Sequence, residues 1–540
     1  MRVSIAACLL PALIFAGCRQ ADERGVAPEE PVEGGTLVFA VDSLDDLNPA
    51  ITSNNSLLRS TLPVYQGLMF LDEELNPQPE LAESVTVEEG GKVYRVALRE
   101  GVRWHDGRPF TSADVKFTFE EVLLEFHPRT SQVLQPKLEA IETPDDETVV
   151  FRFKDTFGAF PLVLTVNEAP ILPKHIFEGI DPTTNPANER PVGTGPFRFV
   201  SFNPESELRY ERNPDYFREG LPHLDELVYR VISEPATQLI ALERGDIDGV
   251  LDFEQPGPDL DRLGADPRFE VVASANESTS GGCTIFVAFN LDRPLFADPR
   301  VRLAIAHGID RQRMLDDVLF GYGRVADAPI NSGIDWAHPD DIEYPSFDRQ
   351  EAARLLENAG WVEGPDGLRV ARGVPEVPDG SQFRFETISS SSRVKFSQVM
   401  ADQLAKIGIE ALATPLDGDL VDARVFEERD FDATMSGSCQ RTDPEIGFRR
   451  FVHSSAIVPI ENTNSAGYRN PQVDALMDQA AAKSDRNERG DLYRQMQEVL
   501  VRDLPYVWLV ESDVISIRST RCAGIQFASV HMVESAYCAR

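Results

Sequence analysis

Trp104-His105-Asp106 is the first place in the chain where neighbouring side chains offer proton chemistry, a base beside a carboxylate. Side by side in sequence is not a dyad geometry, because general acid–base partners must face each other across space. Neither an HExxH pair nor a CxxC knuckle occurs, and the His residues are scattered, so no metal site is expected. No GxSxG elbow offers a nucleophile with oxyanion donors. Pro191-Val192-Gly193-Thr194-Gly195-Pro196-Phe197 breaks the chain with Gly and Pro, but it lacks a third spaced Gly and opens no helix. It is therefore not a dinucleotide loop. The motifs supply no carrier for hydrolytic, redox or cofactor chemistry, and a catalytic site is not expected.

Charge narrows the field further. The 540 residues carry 89 acidic against 52 basic side chains, a net charge of −37. Nucleic acid needs a basic surface, and so does electrostatic docking on anionic lipid. Strong acidity suits solubility in a salty or exposed compartment. Cys8 and Cys18 lie near the start, with Cys283, Cys439, Cys522 and Cys538 in the body. An even set in an exported chain suggests disulfides, and four cysteines leave three connectivities open. At the N-terminus Arg2 precedes an apolar run over 3–15 that is too short to favour a spanning helix and ends in small residues. Residues 19–35 are rich in Glu, Pro and Gly, the composition of a disordered tether.

The elements that must position any site alternate between β and α. Thr36–Val41 reads as a buried strand, and Val93–Leu98 and Thr148–Phe153 alternate apolar and polar as strands do. Further strands are expected at 227–232, 507–510 and 514–517. Amphipathic helices are expected over 236–244 (closed by Gly245), 303–319, 347–361, 394–407, 468–480 and 489–505. Asp106-Gly107 closes a turn, and Thr111-Ser112-Ala113-Asp114 starts a helix. The length allows roughly three to four domains. With no repeat at fixed period, the alternation favours α/β lobes around mixed sheets.

One long ordered pattern names a family. VYQGL at 64–68 is followed by PxPELAES at 77–84 and LREGVRWHDGRPFTSADV at 98–115. RNPDYF at 212–217 and CTIFVAFNLDRPLFADPRVR at 283–302 follow in turn. In this order they resemble the bacterial extracellular solute-binding proteins of family 5, the peptide/nickel class that feeds ABC importers. The resemblance covers nearly everything after residue 34. It implies a bilobed periplasmic-binding-protein fold of class II (cluster C), three domains around a ligand cleft with a hinge. Lobe I would comprise 36–60, 192–282 and 508–540, with an inserted domain at 61–191; lobe II would be 283–507. Phe15-Ala16-Gly17-Cys18 is similar to a lipobox, which implies a signal peptide over 1–17 and acylation of Cys18 ahead of the tether at 18–35. The implied function is a periplasmic or membrane-anchored monomer that captures a peptide or peptide-like solute and delivers it to an ABC permease and ATPase complex. Two alternatives share the fold: a non-peptide solute (an anionic compound, oligosaccharide or nickel chelate), or a solute sensor without transport.

The resemblance also assigns site residues. The loop after the first strand, with Ser43, Leu44 and Asp45, would line the cleft. Relatives with the same Cys-Thr run bridge that cysteine to one just before the ligand loop, which implies Cys283–Cys439 and leaves Cys522–Cys538. Peptide binders place an Asp two residues beyond this cysteine to neutralise the ligand's α-ammonium. Here that residue is Arg441, and Ser438 stands where a Trp often precedes the cysteine. Either Asp443 anchors the ligand or Arg441 faces an anionic group, for which its planar fork is suited. Phe286 and Trp508 sit on segments that border the cleft in relatives, as ligand contacts or core. His105 and Asp106 belong to a turn that is a structural signature of the family.

Overall fold

The computed structural model describes Ala27 and residues 30–44, 47–52, 55–72, 75–253, 257–274, 282–339, 341–527 and 529–539. Cys18 and Asp45 lie outside the described residues, as does the segment of the expected signal peptide.

Two mixed sheets carry the molecule. In the first, seven strands run in the order Phe269–Ser274, Val514–Ser519, Gly249–Val250, Thr36–Val41, Glu226–Val231, Glu207–Arg212 and Phe197–Asn203. Thr36–Val41 (TLVFAV) pairs in parallel with both of its neighbours. It is nearly all apolar because a parallel strand is covered on both faces. The second sheet orders Gly323–Val325, Tyr506–Ser512, Cys283–Phe289, Ala433–Cys439, Arg384–Ser390 and Glu410–Leu416. A third, antiparallel sheet of four strands (Ala82–Glu88, Val93–Leu98, Thr148–Phe153, Leu138–Asp145) belongs to the inserted segment.

Two large hydrophobic cores follow from these sheets, with two smaller clusters around Leu242 and Phe431. One runs without a break from the first sheet into the inserted segment, from Leu37 through Phe151 to Cys538. The other fills the second lobe around Val287, Met400 and Leu509. Among the described residues, Ile446 is the one side chain of the second lobe that joins the first core.

The chain passes from the first sheet to the second between Ser274 and Cys283, and returns at Asp513, which alone separates Tyr506–Ser512 from Val514–Ser519. This corrects the boundary expected at 508. The unbroken apolar run at 506–510 pairs with Cys283–Phe289, so the whole strand belongs to the second lobe. The single helix expected over 303–319 is also two, Pro299–Gly308 and Arg311–Leu319. Asp310 caps the second by accepting the Arg313 N–H at 3.0 Å. Gly308 lets Ile407 approach, since a Cβ there would stand 2.7 Å from its Cδ1. Helices and strands elsewhere lie within a few residues of expectation, with Gly245 and Gly408 in the left-handed conformation as C-terminal caps.

Two disulfides are present. Cys283 and Cys439 are directly opposed on neighbouring strands and bonded, at the end of the second sheet where the chain crosses. Cys522 and Cys538 pair across a short ladder near the C-terminus.

Candidate functional site

The segment Cys439–Thr442 ends a strand of the second lobe and meets the inserted segment of the first. Gln440 fixes it: its amide accepts the Asn331 N–H at 2.8 Å and donates to the Pro329 carbonyl at 2.8 Å. Gly447 packs so close that a Cβ would stand 1.9 Å from the Gln440 carbonyl oxygen. Between them Arg441 takes a left-handed backbone with φ of 59°. A non-glycine residue held there is locally strained and persists only where its surroundings over-determine it.

Arg441 is buried and its Nε lies 3.4 Å from Glu168 Oε1, so the pair bridges the two lobes. Glu168 also accepts Arg129 Nε at 3.0 Å, and the Arg129 Nη2 donates to the Asn167 carbonyl at 3.1 Å. Half-buried Arg450 completes the group, its guanidinium 4.9 Å from the Phe451 ring centre. Three guanidinium groups thus interact with one buried carboxylate. Burial pushes Arg441 and Arg450 down to about 9, and the neighbouring Arg129 adds to it. Burial alone would raise the Glu168 carboxyl, but Arg129 and Arg441 hold it below its ordinary value. Arg129 and Arg450 open onto a cleft of about 620 Å³ between the lobes, whose wall also includes Lys137, Glu445 and Arg449, while Glu168 and Arg441 line a separate small cavity with Asn167 and Thr442. Lys137 pairs with Glu445 across the cleft at 3.0 Å. In a chain of net charge −37 this is a local surplus of positive charge.

Asp443 is committed elsewhere. It is 1% exposed, caps Pro444–Gly447 by accepting the Glu445 N–H at 2.9 Å, and takes Arg489 Nη2 at 2.6 Å. Phe286 and Trp508 are 3% and 2% exposed. Phe286 packs edge-on against Phe451 and Tyr506, and Trp508 lies against Phe448 and Tyr506. Both are core residues beneath the short helices at 444–452, not cleft wall, because their strands are central and covered on both faces. Ser43 is exposed with its N–H on Asp42 Oδ1, while Leu44 is buried in the first core. Arg129, Glu168 and Arg450 were not singled out from sequence. The one available signal was an acid lodged in the apolar run TVNEAPIL at 165–172.

His105 has a structural task. Its Nδ1 accepts the Gly193 N–H at 3.3 Å, so Nε2–H donates to the Gly195 carbonyl at 2.9 Å, while Asp106 pairs with His175. His127 lies beneath the charge cluster, 0% exposed, with Nδ1 accepting the Thr130 N–H at 3.0 Å. Burial, then the charge of Arg129, lowers its pKa from 6.5 to about 3. Below pH 6.5 the unfolded imidazole binds a proton that the folded one refuses. Folding stability is therefore complete above that pH and falls as the pH drops toward about 3, by roughly 1 kcal/mol per unit. His127→Asn keeps an acceptor for Thr130 without a titrating ring. Urea unfolding at pH 7.5 and 5.0 is expected to show a smaller acid loss in this variant than in the parent; equal losses would refute the assignment.

Two lobes on separate sheets, joined by two crossings and enclosing a charged cleft, are the architecture of a hinged solute-binding protein. The chain belongs to the bacterial extracellular solute-binding proteins of family 5, whose middle-region model matches residues 76–458. The oligopeptide-binding protein AppA of Bacillus subtilis is 30% identical over 498 residues, 89% of this chain and 87% of its own. Its structure in complex with a nonapeptide matches with a TM-score of 0.80 at 27% identity, over 95% of this chain and 100% of the other. The glutathione-binding protein GsiB of Pectobacterium atrosepticum is 26% identical over 503 residues, 90% of each chain. The binding protein AgaA of A. tumefaciens R10, in complex with agropinic acid, matches with a TM-score of 0.78 at 25% identity, over 94% and 99% of the two chains. Among the described residues no helix is long and apolar enough to cross a membrane.

Proposed function

We propose that this chain is the solute receptor of an ABC importer and that it takes a peptide-like solute carrying an anionic group. The observation that carries this reading is the cluster of Arg129, Arg441 and Arg450 around Glu168, between the lobes. Closure over a ligand removes bulk water, and a carboxylate buried there needs opposite charge and paired donors. Arg450 supplies them, since its guanidinium has no hydrogen bond or ion pair among the described residues and lines the cleft. Asp443 serves to hold the ligand loop rather than to meet an α-ammonium group.

The receptor works without catalysis. His453 and Ser455 stand 2.7 Å apart near the cleft, but Arg449 Nη2 faces His453 Nε2 at 2.8 Å. The Ser455 N–H donates to His453 Nδ1 at 3.1 Å, so the ring serves as the cap of the short turn at 454–456. We assign the protein to the periplasm or the outer face of the cell membrane, as a monomer anchored through acylated Cys18. A permease and ATPase complex would receive the closed form. A non-peptide organic acid is the second reading, favoured by the same cationic surplus.

Native mass spectrometry of the purified protein identifies a retained ligand, and calorimetry with that ligand tests the anchor. Arg441→Ala and Arg450→Ala are each expected to weaken binding about 10- to 100-fold, the worth of a charged hydrogen bond at roughly 1.5–3 kcal/mol. A ligand with no anionic group, or affinity unchanged in both variants, would refute the reading.

A further inference from the structure

A second polar cluster lies on the second lobe, apart from Glu168. His338, with a side chain 16% exposed, sets Nε2 3.1 Å from Asp327 Oδ1. The carboxylate of Glu511, 3% exposed, completes a set in which one ligand atom from each residue lies within 4.8 Å of the others. We propose that Asp327, His338 and Glu511 form a binding site for a divalent transition cation of the zinc type. Sequence motifs give no sign of such a site, because Glu511 comes to Asp327 and His338 only through the pairing of its strand.

The donor set argues for this class of ion. One imidazole nitrogen and two carboxylate oxygens suit a borderline cation, and three protein ligands leave a fourth position for water. Calcium and magnesium, which want six or more oxygens, are poorly served. Glu511 is already oriented, as a ligand's outer shell should make it: Ser332 donates its N–H at 2.9 Å and its hydroxyl at 2.5 Å to the two oxygens. Each oxygen keeps a lone pair for a cation. Asp327 is 73% exposed and provides the entrance. The opposing group is Arg324, with Nε 3.6 Å from Glu511 and Nη1 donating to Ser332 Oγ at 2.8 Å. Its side chain is 49% exposed, so it can swing into solvent as a metal enters.

The position gives the site a consequence. Glu511 stands two residues before Asp513, where the chain crosses between sheets. The loop that carries Asp327 and His338 also carries Asn331, whose N–H holds Gln440 beside Arg441. A bound cation would tie this loop to the strand entering the waist and stiffen the support of the ligand loop.

Calorimetric titration of the untagged chain with zinc chloride at pH 7.5 tests the site. One equivalent is expected, with affinity falling more than about tenfold in His338→Ala and in Asp327→Asn. Circular dichroism checks that both variants fold, which the exposure of Asp327 favours. Absence of stoichiometric zinc binding, or binding that survives both substitutions, would overturn the proposal. Calcium binding of equal strength would overturn the assignment to a zinc-type ion.

Discussion

Glu168→Gln is expected to cost about 3–5 kcal/mol of stability, the range for breaking a buried ion pair from one side. Glu168 is the carboxylate that Arg129 and Arg441 both address, and 3% of it is exposed. The amide keeps the shape and removes the charge, leaving the guanidinium groups to repel one another in a place water does not reach. Urea unfolding of the variant against the parent measures the loss. Two further readouts separate this from ordinary core damage. Pairing the change with Arg441→Met should recover part of the loss, since the second substitution removes a cation that has lost its counter-charge. Added ligand, if it brings a carboxylate into the cleft, should stabilise Glu168→Gln more than the parent. Unchanged stability in Glu168→Gln would mean that the cluster is solvated rather than buried.

Replacing both Cys283 and Cys439 by Ser is the other large effect, about 5 kcal/mol on the loop-entropy account. The bond closes a loop spanning a separation of 156 residues, against 16 for Cys522–Cys538, where the same account gives about 3 kcal/mol. The longer bridge also sits one residue from Gln440, so its removal loosens the strand end that presents Arg441. Unfolding midpoints of the two double-serine variants should fall in that order, and the Cys283/Cys439 variant alone should lose ligand affinity. An equal fall in both, with affinity intact, would show that the bridge neither constrains the long loop nor steadies the ligand segment.

Much of this architecture was legible in the chain because its signals are local. TLVFAV and CTIFVAF are apolar enough to be central strands, Gly245 and Gly408 mark helix ends, and the PxPELAES and RWHDGRPFTSADV runs named the family. Where local signals failed, a contact from elsewhere in the chain prevailed. The helical pattern over 303–319 is continuous in composition, yet Asp310 starts a second helix and Ile407 needs the space at Gly308. Trp508 sits in a run that reads equally well as the end of one lobe or the start of the other. Its pairing opposite Phe286 decides for the second lobe.

The amino-acid order alone therefore determined the class of fold, the family and the unusual presence of Arg441 beyond the cysteine. It did so because periodicity, caps and motifs act over a few residues. The tertiary structure decided what Arg441 meets. Glu168 lies in the other lobe, and Asp443 is taken by Arg489, 46 residues further on in its own lobe; no local spacing encodes these contacts, because they arise only when distant segments pack together.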